Sequence, residues 1–186
     1  MARIPKRPSM GKLEFTNNID IRTFSSTEEI LQYAKDKGFV DNDNLNLKKL
    51  VQDNPEIELI FEDLEEDGCI YYDKNKEKYI IKINSLQAEV RQKFTLAHEY
   101  IHYLFHKDIL EKPHSDIILY RKEAIKLDED VIANKYAAEL LMPENKFLLA
   151  VTECKGDTTE IAKKFGVSSL AVRYRAKDLD IGGHGL

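Results

Sequence analysis

The chain has 186 residues, 42% of them hydrophobic and 33% charged, with a formal net charge of −5 at pH 7. That length supports one domain with a real core, or a domain and a small appendage. The acidic balance argues against a dedicated nucleic-acid binder but leaves room for a local basic patch. No apolar run reaches membrane-spanning length, and Cys69 and Cys154 stand far apart in no metal-ligand spacing, which argues against a disulfide framework and fits a reducing cytoplasm.

Residues 1–13 are basic, contain Pro5 and Pro8 and lack the apolar stretch of a signal peptide; they read as a disordered arm or an added leader ending near Met10. The main domain is expected over residues 14–152. Ser26 and Glu29 have capping-box spacing and open a helix that Gly38 stops. Asp41 to Asn44 reads as a turn, and a short helix from Leu45 to Gln52 is closed by Asn54-Pro55. Glu56 to Leu64 alternates acidic and apolar residues, as a half-buried strand does. Gly68 to Asp73 and Lys78 to Asn84 give two more strands across a polar turn. The three together predict a small antiparallel sheet, which leads through Lys82 to Ala88 into a helix. A second long helix is expected from Lys126 to Leu141, stopped by Pro143, and a further one over Glu144 to Val151. Thr158 to Leu179 reads as two helices broken at Phe165 to Ser168, within a C-terminal element spanning residues 153–186. The fold class is therefore α+β, a three-stranded antiparallel sheet packed with a helical bundle.

The chemistry is concentrated in the helix after the sheet, in the run Phe94-Thr95-Leu96-Ala97-His98-Glu99-Tyr100-Ile101-His102. It contains H-E-x-x-H. Two histidines four apart share one helix face, one turn apart, and both imidazoles can reach one zinc ion. Glu99 follows the first of them, where this motif places the base that deprotonates a metal-bound water. The plainer reading is a helix with two incidental histidines, but the flanks describe a buried helix, and a buried histidine pair needs a partner. A catalytic zinc site needs a third protein ligand. In the second helix, Asp130 shares a face with Ala133 and Ala137, at i+3 and i+7. Small residues there allow close packing on the histidine helix and bring the Asp130 carboxylate toward the metal. Glu129, one position away, is the alternative ligand, and an acidic first turn stabilised by the helix dipole is the bland one.

These residues resemble a known family. RQKFTLAHEYIHYLFH (Arg91 to His106), followed by ANKYAAELLMP (Ala133 to Pro143), is similar to the ImmA/IrrE family of metallo-endopeptidases, and the resemblance extends over roughly Ser26 to Asp180. It implies a zincin-like domain with short strands before the zinc helix, a Zn2+ cofactor and Glu99 as the catalytic residue. The family's third zinc ligand is a glutamate three residues before the alanine of the second block, a position held here by Asp130, with glutamate only at Glu129. The implied substrate is a protein, a helix-turn-helix transcriptional repressor or antitoxin, in the cytoplasm of a bacterium or its phage. Mobile elements, stress responses and toxin–antitoxin-like modules are the settings that go with it.

Around the site, Tyr100, Tyr103, His106 and Tyr136 are candidates for stabilising the oxyanion of the reaction. His106 reads better as a structural neighbour of the ligands, and Tyr136 as packing. Glu139 is a candidate partner for a histidine Nδ1–H or a surface acid. The segment from Thr159 to Arg175 resembles a helix-turn-helix with local positive charge from Lys163, Lys164, Arg173, Arg175 and Lys177. Two rivals to the peptidase therefore stand: a weak or inactive zinc-fold protein that acts by binding a partner, and a DNA-binding regulator that uses its C-terminal helices.

Overall fold

The computed structural model describes residues 24–41, 44–105, 107–110 and 127–181; the expected arm over 1–13 lies outside them. Helix α1 (Thr27–Asp36) opens at Ser26, whose hydroxyl accepts the Glu29 N–H. The Glu29 carboxylate reaches past the cap to the backbone N–H and hydroxyl of Ser25, so the return bond of the capping box lands one residue early. At the other end Gly38 takes φ +70°, its N–H bonds the Lys35 carbonyl, and the Phe39 N–H bonds that of Ala34. That left-handed closure is why a glycine is needed there. The chain then forms a short hairpin, β1 (Val40–Asp41) and β2 (Asn44–Leu45), where only a turn was expected. Leu45 is thereby strand, and Asn46 caps α2 (Leu47–Gln52).

The sheet contains β3 (Ile57–Glu62), β4 (Gly68–Asp73) and β5 (Lys78–Asn84), in the order β3-β5-β4. β4 and β5 pair antiparallel, but β3 and β5 run parallel, so the expected all-antiparallel sheet is corrected to a mixed one. The physical reason lies in β5. Tyr79, Ile80, Ile81 and Ile83 are all buried, and a strand buried on both faces belongs in the middle. β3, with Glu58 and Glu62 on its outer face, suits an edge, where those acids pair with Lys76 and Lys82.

Helix α3 (Glu89–Phe105) is the axis of the molecule. The register places Leu59, Ile81 and Ile70 side by side on the inner sheet face, and Leu96, Ala97, Tyr100 and Ile101 are buried with them in one core. The approach is closest at Gly68, where a Cβ would stand 2.7 Å from Thr95 Cγ2 and 2.8 Å from the Lys82 carbonyl. A short helix α4 (Lys107–Leu110), absent from the sequence reading, follows. Helix α5 (Leu127–Leu141) packs along α3 on the side away from the sheet, with Ala133 and Ala137 fully buried. Then come α6 (Glu144–Glu153), α7 (Thr158–Phe165) and α8 (Ser169–Asp178). Gly166, at φ +62°, makes the tight turn between the last two. Among the described residues no helix is long and apolar enough to cross a membrane.

Candidate metal centre

The two long helices bring three side chains to one point. Nε2 of His98 and Nε2 of His102 are 3.0 Å apart. Asp130 Oδ1 lies 3.1 Å from His102 Nε2 and 3.5 Å from His98 Nε2. The close approach of α3 and α5 rests on Ala133 and Ala137: larger side chains on that seam would hold the helices apart and carry Asp130 out of reach. The group is walled by protein at His102, which is fully buried, and open to solvent at Asp130, whose side chain is 52% exposed.

Donor chemistry fits a cation. His98 Nδ1 lies 3.0 Å from Asn134 Oδ1. An amide oxygen only accepts, so Nδ1 carries the proton and Nε2 is left as a lone pair aimed at the cluster. Two imidazole nitrogens and a carboxylate oxygen form a borderline donor set of the kind zinc prefers. Zinc bonds of about 2.0–2.1 Å at the tetrahedral angle would separate two donors by about 3.3 Å, and the three separations here, 3.0, 3.1 and 3.5 Å, bracket that value. Among the described residues, His98, His102 and Asp130 are thus a group able to hold a metal ion. Glu129 is not a member of it.

Glu99 is buried on α3 between the two histidines. The other sequence candidates are placed elsewhere. Tyr103 donates to Glu56 at 2.5 Å and accepts from Asn54 at 2.9 Å, and burial with the Glu56 carboxylate pushes its phenol well above the ordinary range. Its hydroxyl is committed to the start of β3. Tyr100 is buried and stacks on Tyr103 with ring centroids 5.9 Å apart. Tyr136 packs on Phe105 at 5.3 Å, as expected for a packing residue. His106 lies outside the described residues. Glu139, considered as a histidine partner, instead accepts from the Thr27 hydroxyl and faces Arg175 at 4.0 Å. The residue the sequence reading missed is Asn134, which does the job considered for Glu139. Its signal was its spacing: it stands four residues after Asp130, one turn along the same helix face.

Arg175, one of the cations of the helix-turn-helix-like segment, is 2% exposed. Its Nε donates to the Met142 carbonyl at 3.0 Å and its Nη1 to Asp178 at 2.8 Å. It fastens α8 to the end of α5 and cannot reach a phosphate.

An α+β domain whose central helix and its neighbour present two histidines and a carboxylate to one point is a metallopeptidase-like fold. Residues 52–177 match the model of the IrrE N-terminal-like domain, Peptidase_M78, and the chain belongs to that family. No curated protein matches significantly. Among solved structures, one named a Mycobacterium tuberculosis transcriptional regulator superposes with a TM-score of 0.58 at 18% identity. The match covers 81% of this chain and 55% of that one, so this chain spans little more than half the length of that neighbour. At that identity the likeness is one of fold.

Proposed function

We propose that the protein is a zinc-dependent endopeptidase that cuts a protein substrate in the cytoplasm. The observation carrying this reading is the convergence of His98, His102 and Asp130 within 4.8 Å of one another, with Glu99 on the same helix. When bound, zinc would lower the pKa of a water to about 7 and polarise a peptide carbonyl. His98 and His102 would hold it through Nε2, with Asn134 fixing the His98 tautomer, and Asp130 would supply the third ligand. Glu99 takes the proton of the attacking water, whose oxygen joins the carbonyl carbon, and passes it to the leaving amine nitrogen as the C–N bond breaks. The ImmA/IrrE resemblance supports a helix-turn-helix repressor or antitoxin as the substrate, in a phage or other mobile element.

The test is Glu99→Gln. It is expected to keep the fold and the bound metal and to lose about 10²–10⁴ of the cleavage rate on a repressor substrate. Elemental analysis of Asp130→Ala beside Glu129→Ala assigns the third ligand: loss of metal is expected in the first and not in the second. A regulator that works by binding alone is the second reading, favoured by the name of the structural neighbour. It requires Glu99→Gln to keep full biological activity, a result that would sink the peptidase.

A further inference from the structure

A groove of about 630 Å³ opens between the start of α3, the outer face of α5 and α8. That volume lies within the range of about 300–1,000 Å³ typical of ligand sites. Val90, Phe94, Val131, Leu170, Ala171 and Tyr174 make up most of its apolar wall. Three of these are strongly exposed for apolar side chains, with Val131 61%, Leu170 57% and Tyr174 63% open to solvent. An exposed apolar set gathered into one groove marks a binding surface. The charges at its margin are already paired. Lys135 bonds Asp178 at 3.0 Å, and Arg91 is bridged to Asp67. Such a groove does not ask for a charged ligand.

The groove borders the metal-binding group through Asn134. Asn134 lines it and also fixes His98; Val131 directly follows Asp130, and Phe94 stands one turn before His98. A chain lying in the groove would run beside the metal-binding group. Val172, Arg175 and Ala176 are buried on the far side of α8, and Leu170 and Tyr174 are the large apolar residues α8 presents to the groove. We propose that this groove is the subsite that receives large apolar residues of the peptide beside the bond to be cut, and that Leu170 and Tyr174 set that preference. The assignment of a peptide rests on the peptidase reading. The helix-turn-helix-like C-terminus then serves as a wall of the substrate site and not as a reader of DNA.

Binding is measured by fluorescence anisotropy in the Glu99→Gln background, which does not cleave. Two labelled decapeptides share a Ser/Ala host, one with a central Leu-Phe-Leu and the other with Ser-Gly-Ser. The apolar peptide is expected to bind at least tenfold tighter. Leu170→Ser with Tyr174→Ser should abolish that advantage, Val131→Ser on the facing wall should reduce it, and Arg173→Ser, on the exposed side of α8, should leave it intact. Because the substituted side chains are exposed, all variants should keep the parent's circular dichroism and melting temperature. Equal affinity for the two peptides, or an advantage that survives the double substitution, overturns the proposal. So does a labelled DNA duplex whose binding is lost in the same double variant. The underlying reading is scored separately with Glu99 restored. Groove-dependent binding of the apolar peptide without cleavage of any protein substrate removes the peptidase and keeps the subsite; cleavage indifferent to the double substitution does the reverse.

Discussion

Asn134 carries a consequence out of proportion to a neutral side chain. By accepting the Nδ1–H of His98 at 3.0 Å it selects the tautomer whose Nε2 can bind a metal, and it holds the ring in place. Partners of this kind typically cost about 10–100-fold in metal affinity when removed. Asn134→Ala is therefore expected to weaken zinc binding by that factor in a competition titration with a chelator, while Asn134→Asp, which keeps an acceptor in place, should recover most of it. At this scale the sequence was legible where spacing along one helix is decisive. Glu99 stands one position after His98 and three before His102 on α3, and helical geometry alone gathers the two imidazoles. It was illegible where the partner comes from another helix with no motif of its own. Asp130 could be ranked ahead of Glu129 by the face it shares with Ala133 and Ala137, but that the partner of His98 Nδ1 is Asn134 and not Glu139 emerged only with the rotation of α5 about its axis.

At the scale of elements, the site is a property of the α3–α5 seam. Ala133 and Ala137 are both fully buried, and their methyl groups set how near the Asp130 carboxylate comes to the histidines. Ala137→Leu adds three carbons to a packed interface, a change that costs about 1–3 kcal/mol. Urea denaturation should show a loss of that size. Zinc affinity should fall as well, although residue 137 lies about two turns from Asp130 along the helix. A loss of stability with undiminished zinc binding would show that the seam does not set the ligand geometry. Strand boundaries were readable in the sequence, because β4 and β5 are bounded by turn residues and carry strong β formers. Strand order was not. Periodicity describes the two faces of a strand but not its neighbours, and the signal that β5 is central was its near-continuous apolar run, Tyr79 to Ile81 followed by Ile83.

Across the whole molecule, the sheet and the α3–α4 arm are tied by one polar cluster, and its titration has a definite sign. Glu56, just before β3, accepts from Tyr103 on α3 at 2.5 Å and from Lys107 on α4 at 2.7 Å. Partial burial acts to raise its pKa, but the bonds to Lys107 and Tyr103 and the Lys107 charge outweigh it, and the carboxyl is held below its ordinary 4.5. A carboxylate with a depressed folded-state pKa contributes stability that is fully present above the unfolded value and is lost as pH falls through the folded one. The protein should therefore lose stability as pH drops below about 4.5, on top of the loss from its other carboxylates. Lys107→Met keeps an unbranched stem but removes the cation, whose Nζ lies 4.4 Å from the Tyr103 ring centroid. At pH 7 that substitution is expected to cost about 1–3 kcal/mol, as for a hydrogen bond to a charged group. The folded-state pKa of Glu56 should move back toward 4.5, so the variant's stability should fall less steeply as pH drops below about 4.5, and the two curves should converge at the acid end. Urea midpoints measured across that range decide it: parallel curves would mean that Glu56 titrates alike in both proteins and that the Lys107 pair does not couple the sheet to α3 and α4.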